Sequence, residues 1–598
     1  MYTVSIVTIS QYIRADFLKI LAKCITQQDY DNIIEWVIVD TSSVGYNRTT
    51  NDLSEIIKEF RKDKNLPEII YFQSTKSNIG GWRNDYSKLT SGDIIVCMDD
   101  DDYYPSTRVS HAVEILADKQ YLIAGCDKMH FYDIYFKKMY TFKGFGTNHS
   151  TNNCIAYWKD YLTNHQYDEK ARNAEEYSFT NSFTENMAQL ESDKTILQFS
   201  HDTNTFIKRI IIMQNSYLSK DSKYIMHQDF TIDDFITNKE ILDDYNKIFS
   251  QKNVPKKSEY DIVYYMGASI LWSPHQNNLG GSEQAVKYLA SEWKKQGKKV
   301  AVYGNLIKED IFEDVDYIQY YKFNFWDKFN TLILWRGSGC YPIIELDLKA
   351  DKIMVDLHDN DNSLFNYLFN YKEKISEWMF KSQFHYNLAC YSLKSEIPNS
   401  LIIPNGIRVS DFSIQVKEQR NPYRMCYCSC YTRGLERILK NIWPIIYSLE
   451  PRAELHVYYG MDLVKDKDFI TEIQQLFIQP GVMDHQRQSL ENINREKHLS
   501  TFHLYYTDSL AEIDCISIRE SLVAGCIPIL SNINLFDYRD GIHLKWLPNT
   551  DNFNYQIACF VVELMHNTDY LSEVRNKYYN SATIISWRDC ATQWLKNM

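Results

Sequence analysis

No uncharged apolar run in the 598 residues approaches the roughly 18 that a membrane-spanning helix needs. The first residues, Met1-Tyr2-Thr3-Val4-Ser5-Ile6-Val7, lack the basic flank of a signal peptide and read as a strand. The chain is therefore expected to be cytoplasmic, or to be brought to a membrane by something else. A basic stripe is missing too, and the net charge of -13 opposes attraction to nucleic acid or anionic lipid, which are themselves polyanions. No repeat at a period of about 20 to 50 residues stands out. Glycine is scarce, 20 residues against 45 tyrosines, which says nothing about chemistry. Hydrophobic residues at 44% and charged residues at 24% exclude bulk disorder, and the length exceeds what one core supports. The 13 cysteines are scattered, apart from Cys426, Cys428 and Cys430. Alternation along a strand would put those three on one face, but a second ligand cluster for a metal is absent.

What is there is a βαβ rhythm. Val4 to Ile9, Trp36 to Val39, Ile69 to Phe72 and Ile94 to Met98 read as buried strands, with helical stripes between them. The order weakens over 216–257, where a helical stripe (Ile232, Phe235, Ile236, Ile241) ends in Asn253-Val254-Pro255, read as a connecting helix and linker. A second series starts at Tyr260 to Tyr265 and a third at Met425 to Cys428, as in two Rossmann-like lobes facing a cleft. The expected domains are 1–215, the linker 216–257, and lobes 258–410 and 411–598.

Ligands of open α/β sheets gather at the carboxyl ends of strands. Thr8, Asp40 and the run Asp99-Asp100-Asp101-Asp102 all lie at such ends. Four adjacent carboxylates repel one another and need a counter-charge. A hard divalent cation bridging to a diphosphate would supply it, and a solvated acidic turn is the alternative. The stretches Ser5-Ile6-Val7-Thr8, Val37-Ile38-Val39-Asp40, Gly80-Gly81-Trp82-Arg83-Asn84 and Gly92 to Asp102 resemble family 2 glycosyltransferases of the GT-A fold across roughly 1–210. The resemblance implies that Thr8 and Asp40 hold the nucleotide base and that Arg83 approaches the donor. It implies Asp99 and Asp101 as the pair binding Mn²⁺ or Mg²⁺, Asp101 more directly, and a nucleotide-sugar donor, UDP-linked first. An inverting transfer needs a base, and Ala174-Glu175-Glu176-Tyr177 stands in the family's place for it, with Glu176 matching the second acid of the usual pair. An acidic first helical turn would read the same way. His201 is either a further metal ligand or structural. The nucleotidyltransferases that share this fold carry a glycine-rich loop after the first strand, and Ser10-Gln11-Tyr12-Ile13-Arg14 has none.

In the second half, Gly280-Gly281 precedes an amphipathic helix, where glycines let a phosphate approach the helix N-terminus. Glu512 and Glu520 bracket seven residues, and Glu520-Ser521-Leu522-Val523-Ala524-Gly525-Cys526-Ile527-Pro528 is similar to the carboxyl-terminal signature of family 4 glycosyltransferases of the GT-B fold. With His358 after a strand and Ile402 to Ile407 at the lobe crossover, the resemblance covers about 260–590. It implies Glu520 on the donor ribose, Glu512 facing the donor sugar, His358 holding sugar or acceptor, and no metal. The family places two cations before the next helix. Arg433 matches the second, Ser429 stands near the first, and Arg437 or Lys440 would have to substitute.

Together these expectations describe an α/β enzyme that adds two sugars in succession to a glycan acceptor. The first module would be metal-dependent and inverting, the second metal-independent and retaining. The alternative is one active module beside a non-catalytic nucleotide-sugar or glycan binder.

Overall fold

The computed structural model describes all residues except 46–47, 202, 205–207, 216–224, 253–254, 414–417, 463, 465, 580 and 582. The chain divides into two compact units, Met1–Pro255 and Lys256–Met598. Among the described residues no helix is long and apolar enough to cross a membrane.

In unit 1 the apolar runs become strands of a seven-stranded sheet. Its order is Glu68–Gln73, Ile33–Asp40, Val4–Ser10, Ile94–Cys97, Ala156–Trp158, Ile123–Gly125 and Ala188–Gln189. The first four are mutually parallel, and Ala156–Trp158 runs antiparallel to Ile94–Cys97. Val4 to Val7 and Ile94 to Cys97 are fully buried, as runs covered on both faces must be. A smaller sheet, ordered Leu197–Ser200, His130–Asp133, Lys138–Phe142 and Ile225–His227, stands beside it.

Of the stretch 216–257 expected to be a linker, residues 216–224 lie outside the described ones, and the part described up to Pro255 belongs to unit 1. Helix Lys239–Lys252 packs on helix Ala15–Thr26, and Tyr245 donates to the Asp102 carbonyl at 3.0 Å. Its apolar stripe ends in Tyr245 and Phe249, which join Phe17 and Phe199 in an aromatic cluster. Lys23 ties the outer face to Glu240 and Asp244, both at 2.6 Å. Asn253 and Val254 lie outside the described residues.

Unit 2 holds two Rossmann-like sheets. The eight-stranded one runs Asp310–Phe312, Val315–Gln319, Val300–Gly304, Ile262–Tyr265, Lys328–Trp335, Lys349–Asp356, Glu377–Phe380 and Ser400–Ile402, parallel except for the first strand. The six-stranded one is parallel throughout: Val482–Asp484, Glu454–Tyr458, Asn421–Cys428, Ser500–Tyr505, Ile527–Ser531 and Ile542–Leu544. The expected α/β class is what the chain adopts, with two Rossmann-like lobes in unit 2, but unit 1 adds a second, smaller sheet to the single mixed sheet expected. One boundary moves. The last helix, Trp587–Leu595, leaves the second lobe and packs on helix Gly281–Lys295, with Trp594 against Trp293 at 5.6 Å. Trp587, Cys590, Ala591 and Trp594 thus complete the core of the first lobe, not of the lobe 411–598. The chain crosses between lobes twice, side by side: Ile407 N donates to Ile585 O at 2.9 Å, and Trp587 N returns to Ile407 O at 3.3 Å. A Cβ on Gly406 would lie 2.5 Å from Trp587 N, so only glycine fits at that crossing.

Candidate functional sites

In unit 1 the parallel strands deliver Ser10, Asp40 and Asp99 to Asp102 to one edge of the sheet. Arg14, in the turn Tyr12–Arg14 that follows the first strand, lies 3.1 Å from Asp100 and 3.0 Å from Asp101. Arg83, buried on helix Ile79–Leu89, spans two groups. It donates to both oxygens of Asp99, at 2.9 and 3.3 Å, and through Nε to Glu175 at 3.1 Å. That helix seats against the loop before Glu175, where a Cβ on Gly80 would meet Asp168 O at 1.9 Å. The run of aspartates is therefore not a solvated turn. Asp100, Asp101 and Asp102 are all buried, and two arginines supply much of the counter-charge.

The carboxyls are not alike. Burial pushes Asp100 well above the usual range and Asp102 up to about 7, with Asp102 accepting from Asn153 at 2.6 Å and from Phe199 N at 3.1 Å. Burial would also raise Asp101, but Arg14 and His201 outweigh it and hold that carboxyl far below its usual value. Burial, then the neighbouring Glu175, lifts Glu176 to about 8.

His201, stacked on Phe17, has Nε2 3.3 Å from Asp101 Oδ2. Among the described residues no three Asp, Glu, His or Cys side chains converge on one point. Magnesium and manganese at diphosphates are commonly held by one or two protein side chains plus phosphate oxygens, so this pair fits such an ion. The geometry differs from the expected one: both oxygens of Asp99 are taken by Arg83, while Asp101 Oδ2 meets Arg14, Asn204 and the His201 ring.

Two base-binding expectations change. Thr8 is fully buried, its hydroxyl donating to Met98 O at 2.8 Å and accepting from Trp36 Nε1 at 2.9 Å, so it ties strands together and meets no ligand. Asp40 is buried as well. Ser42 N, the Ser42 hydroxyl, Leu53 N and the Tyr71 hydroxyl fill its acceptor positions, so it shapes the loop after its strand.

In unit 2 the two glutamates each meet a cation. Glu512 accepts from Arg433 at 2.7 Å, Tyr505 at 3.0 Å and Cys515 N at 3.1 Å. Glu520 pairs with Lys497, a residue that no motif in the sequence marked. Neither proposed substitute for the missing cation is at the site. Lys440 is half exposed on the far side of its helix, 2.5 Å from Glu472. Arg437 holds the carbonyls of Leu547 and Pro548 at 2.8 and 3.0 Å. Ser429 is bound to Tyr505 at 2.7 Å.

His358 faces inward. Its Nε2 lies 3.0 Å from Asp356, which also takes Lys381 at 2.5 Å and the Tyr264 hydroxyl, and burial lowers the imidazole's pKa. A ring so enclosed braces the end of its strand and does not reach a sugar. Gly280 and Gly281 do open helix Gly281–Lys295, but the space they leave is filled by a side chain: a Cβ on Gly280 would stand 2.5 Å from the buried carboxylate of Glu283. The strand bearing Cys426 and Cys428 ends before Cys430, and Cys426 instead faces Cys526 at 3.9 Å. Sequence reasoning also missed Asp514 and Arg519, paired at 2.7 Å, which hold both backbone faces of Asn405 at the lobe crossing.

Residues 6–209, about a third of the chain, match the family described as Glycosyl transferase family 2. No curated protein sequence matches the chain. Among solved structures the chain is similar to Anabaena HepE in complex with UDP-glucose, at 10% identity over 56% of this chain and 98% of that one, with a TM-score of 0.44. It is similar to WaaG, a glycosyltransferase involved in lipopolysaccharide biosynthesis, at 15% identity over 56% and 99%, TM-score 0.41. A variant of S. aureus TarM, in complex with fondaparinux, alpha-GlcNAc-glycerol and UDP, aligns over 99% of both chains at 9% identity and TM-score 0.37. The chain carries a family 2 glycosyl transferase domain and is a glycosyltransferase.

Proposed function

We propose that unit 1 transfers a sugar, with inversion, from a nucleotide diphosphate donor to a hydroxyl of a glycan acceptor. The observation that carries this reading is the chain Asp99–Arg83–Glu175 with Glu176 beside it, which joins the aspartate edge to a carboxyl held near 8. A carboxyl held near neutral pH is suited to take a proton there. Glu176, once ionised, takes the acceptor proton. The acceptor oxygen bonds to the anomeric carbon, and the bond to phosphate breaks with its electron pair leaving on the nucleoside diphosphate. Arg83 holds Glu175 and Asp99 in register, and Asp101 with His201 would hold Mn²⁺ or Mg²⁺. Bound there, the ion supplies positive charge to the diphosphate. A UDP-sugar is the first donor to try.

Unit 2, in the same proposal, is a second and metal-independent glycosyltransferase, with retention, so that the chain adds two sugars in succession in a cytosol. Tethering raises the concentration of the first product near the second site. One observation favours the alternative of a nucleotide-sugar or glycan binder: both glutamates are already ion-paired, and neither Arg437 nor Lys440 stands in for the cation lacking at Ser429. Assays on the full chain decide. Transfer of two different sugars, one lost in Asp101→Ala and the other in Glu520→Ala, is expected. A single activity untouched by Glu520→Ala would make unit 2 a binder.

A further inference from the structure

Lys497 lies on helix Leu490–Leu499, a segment with no part in either glutamate motif. None of its surface is exposed. Its ammonium donates to Oε2 of Glu520 and, at 3.2 Å, to the carbonyl of Ser517. It also lies close enough to Cys426 and Cys428 to sense both thiols. A lysine this enclosed cannot touch a ligand, and whatever it does it does through Glu520.

On its open side Glu520 borders a cavity between the lobes, shared with Gln284, Leu490, Asn494 and Ile516. Asn494 is buried, and its Oδ1 has no hydrogen-bond partner, a state that normally costs about 1 to 3 kcal/mol. An amide and a carboxylate lining one cavity offer two acceptors. Phosphate, itself an acceptor, gains nothing there, whereas a pair of adjacent hydroxyls donates to both.

We propose that Lys497 is a positioning residue of unit 2, gripping Glu520 from the buried side so that its carboxylate and Asn494 Oδ1 together accept the vicinal hydroxyls of a ribose. The proposal rests on the reading of unit 2 as a nucleotide-sugar site and adds two residues to it. Lys497 does for Glu520 what Arg433 does for Glu512: each cancels a negative charge that would otherwise repel the diphosphate.

The test is calorimetric titration of the full chain with UDP, GDP and ADP and their 2′-deoxy forms. The unit 2 component is defined as the binding that Glu520→Ala removes. For the best nucleotide, that component should be about tenfold weaker with the 2′-deoxy form, the loss of one hydrogen bond to a charged group. In Lys497→Met the ratio between the two forms should fall to near one, and Lys497→Arg should restore most of it. Asn494→Leu should lower the ratio while leaving Glu520 paired. Because Lys497→Met strands a carboxylate, the double variant Lys497→Met/Glu520→Gln keeps the fold testable, with the unfolding midpoint read alongside. A folded Lys497→Met that still discriminates tenfold overturns the proposal, as does the double variant doing so. If no nucleotide shows a component sensitive to Glu520→Ala, the reading of unit 2 fails and takes this proposal with it.

Discussion

Six carboxyl groups gather at the edge of the first sheet in unit 1: Asp99 to Asp102, Glu175 and Glu176. Unit 2 has the two glutamates of its motif, Glu512 and Glu520. Arg14 and Arg83 pair with four of the six, Asp99, Asp100, Asp101 and Glu175, whereas Arg433 and Lys497 serve the two one-to-one. Burial first, and neighbouring carboxyls after it, push Asp100, Asp102 and Glu176 upward, toward the neutral form. A site with more acid than cation welcomes a positive guest, and a balanced one has no such need. The metal proposed for unit 1 thus has a charge argument beside the motif that suggested it.

The comparison breaks most visibly at Asp101. Asp101→Ala should reduce transfer by unit 1 by up to about a thousandfold, the scale of losing a group that stabilises charge in the transition state, and leave unit 2 unchanged. Equal loss of both activities would show the sites to be coupled. Next in size, Glu176→Gln should cost about a hundredfold or more in acceptor-dependent turnover while nucleotide binding persists. Its pH signature has a definite sign. A base raised to about 8 is protonated below that value, so kcat/KM should climb with pH and level off above about 8. In Glu176→Gln that limb should vanish, and a wild-type profile already flat from pH 6 would give the proton to another group. Smaller still, Gly406→Ala should destabilise unit 2 by about 1 to 3 kcal/mol, read as a lower unfolding midpoint, because a methyl group collides with the second crossing. At the bottom of the scale, Lys440→Ala should change neither activity nor melting, since its partners are surface glutamates.

Much of the fold was legible because it rests on short-range pattern. Buried parallel strands are continuous apolar runs, and such runs ended where the acids began. The aspartates and the glutamate pair were readable for the same reason, being local clusters. What escaped were partners brought in by topology. Arg14 looks like any arginine in a turn, and Lys497 comes to Glu520 from another helix, 23 residues earlier in sequence. Thr8 misled in the opposite direction. Its place at a strand end suggested exposure, but the sheet continues past it to Ser10, and its hydroxyl turns inward. The linker misled because a polar helix with one weak stripe gives no hint that the stripe ends in Tyr245 and Phe249, each buried among aromatics.

The double crossing between the lobes of unit 2 has a consequence for handling the protein. A lobe joined by one strand can twist freely, whereas two strands bonded side by side act like a strap hinge, easy to fold about one axis and stiff about the others. Such a joint also makes the chain terminus a structural member of the opposite lobe. Trimming the last fifteen or so residues, a routine step before crystallisation, would uncover Trp293 some 300 positions upstream and cut half of the strap.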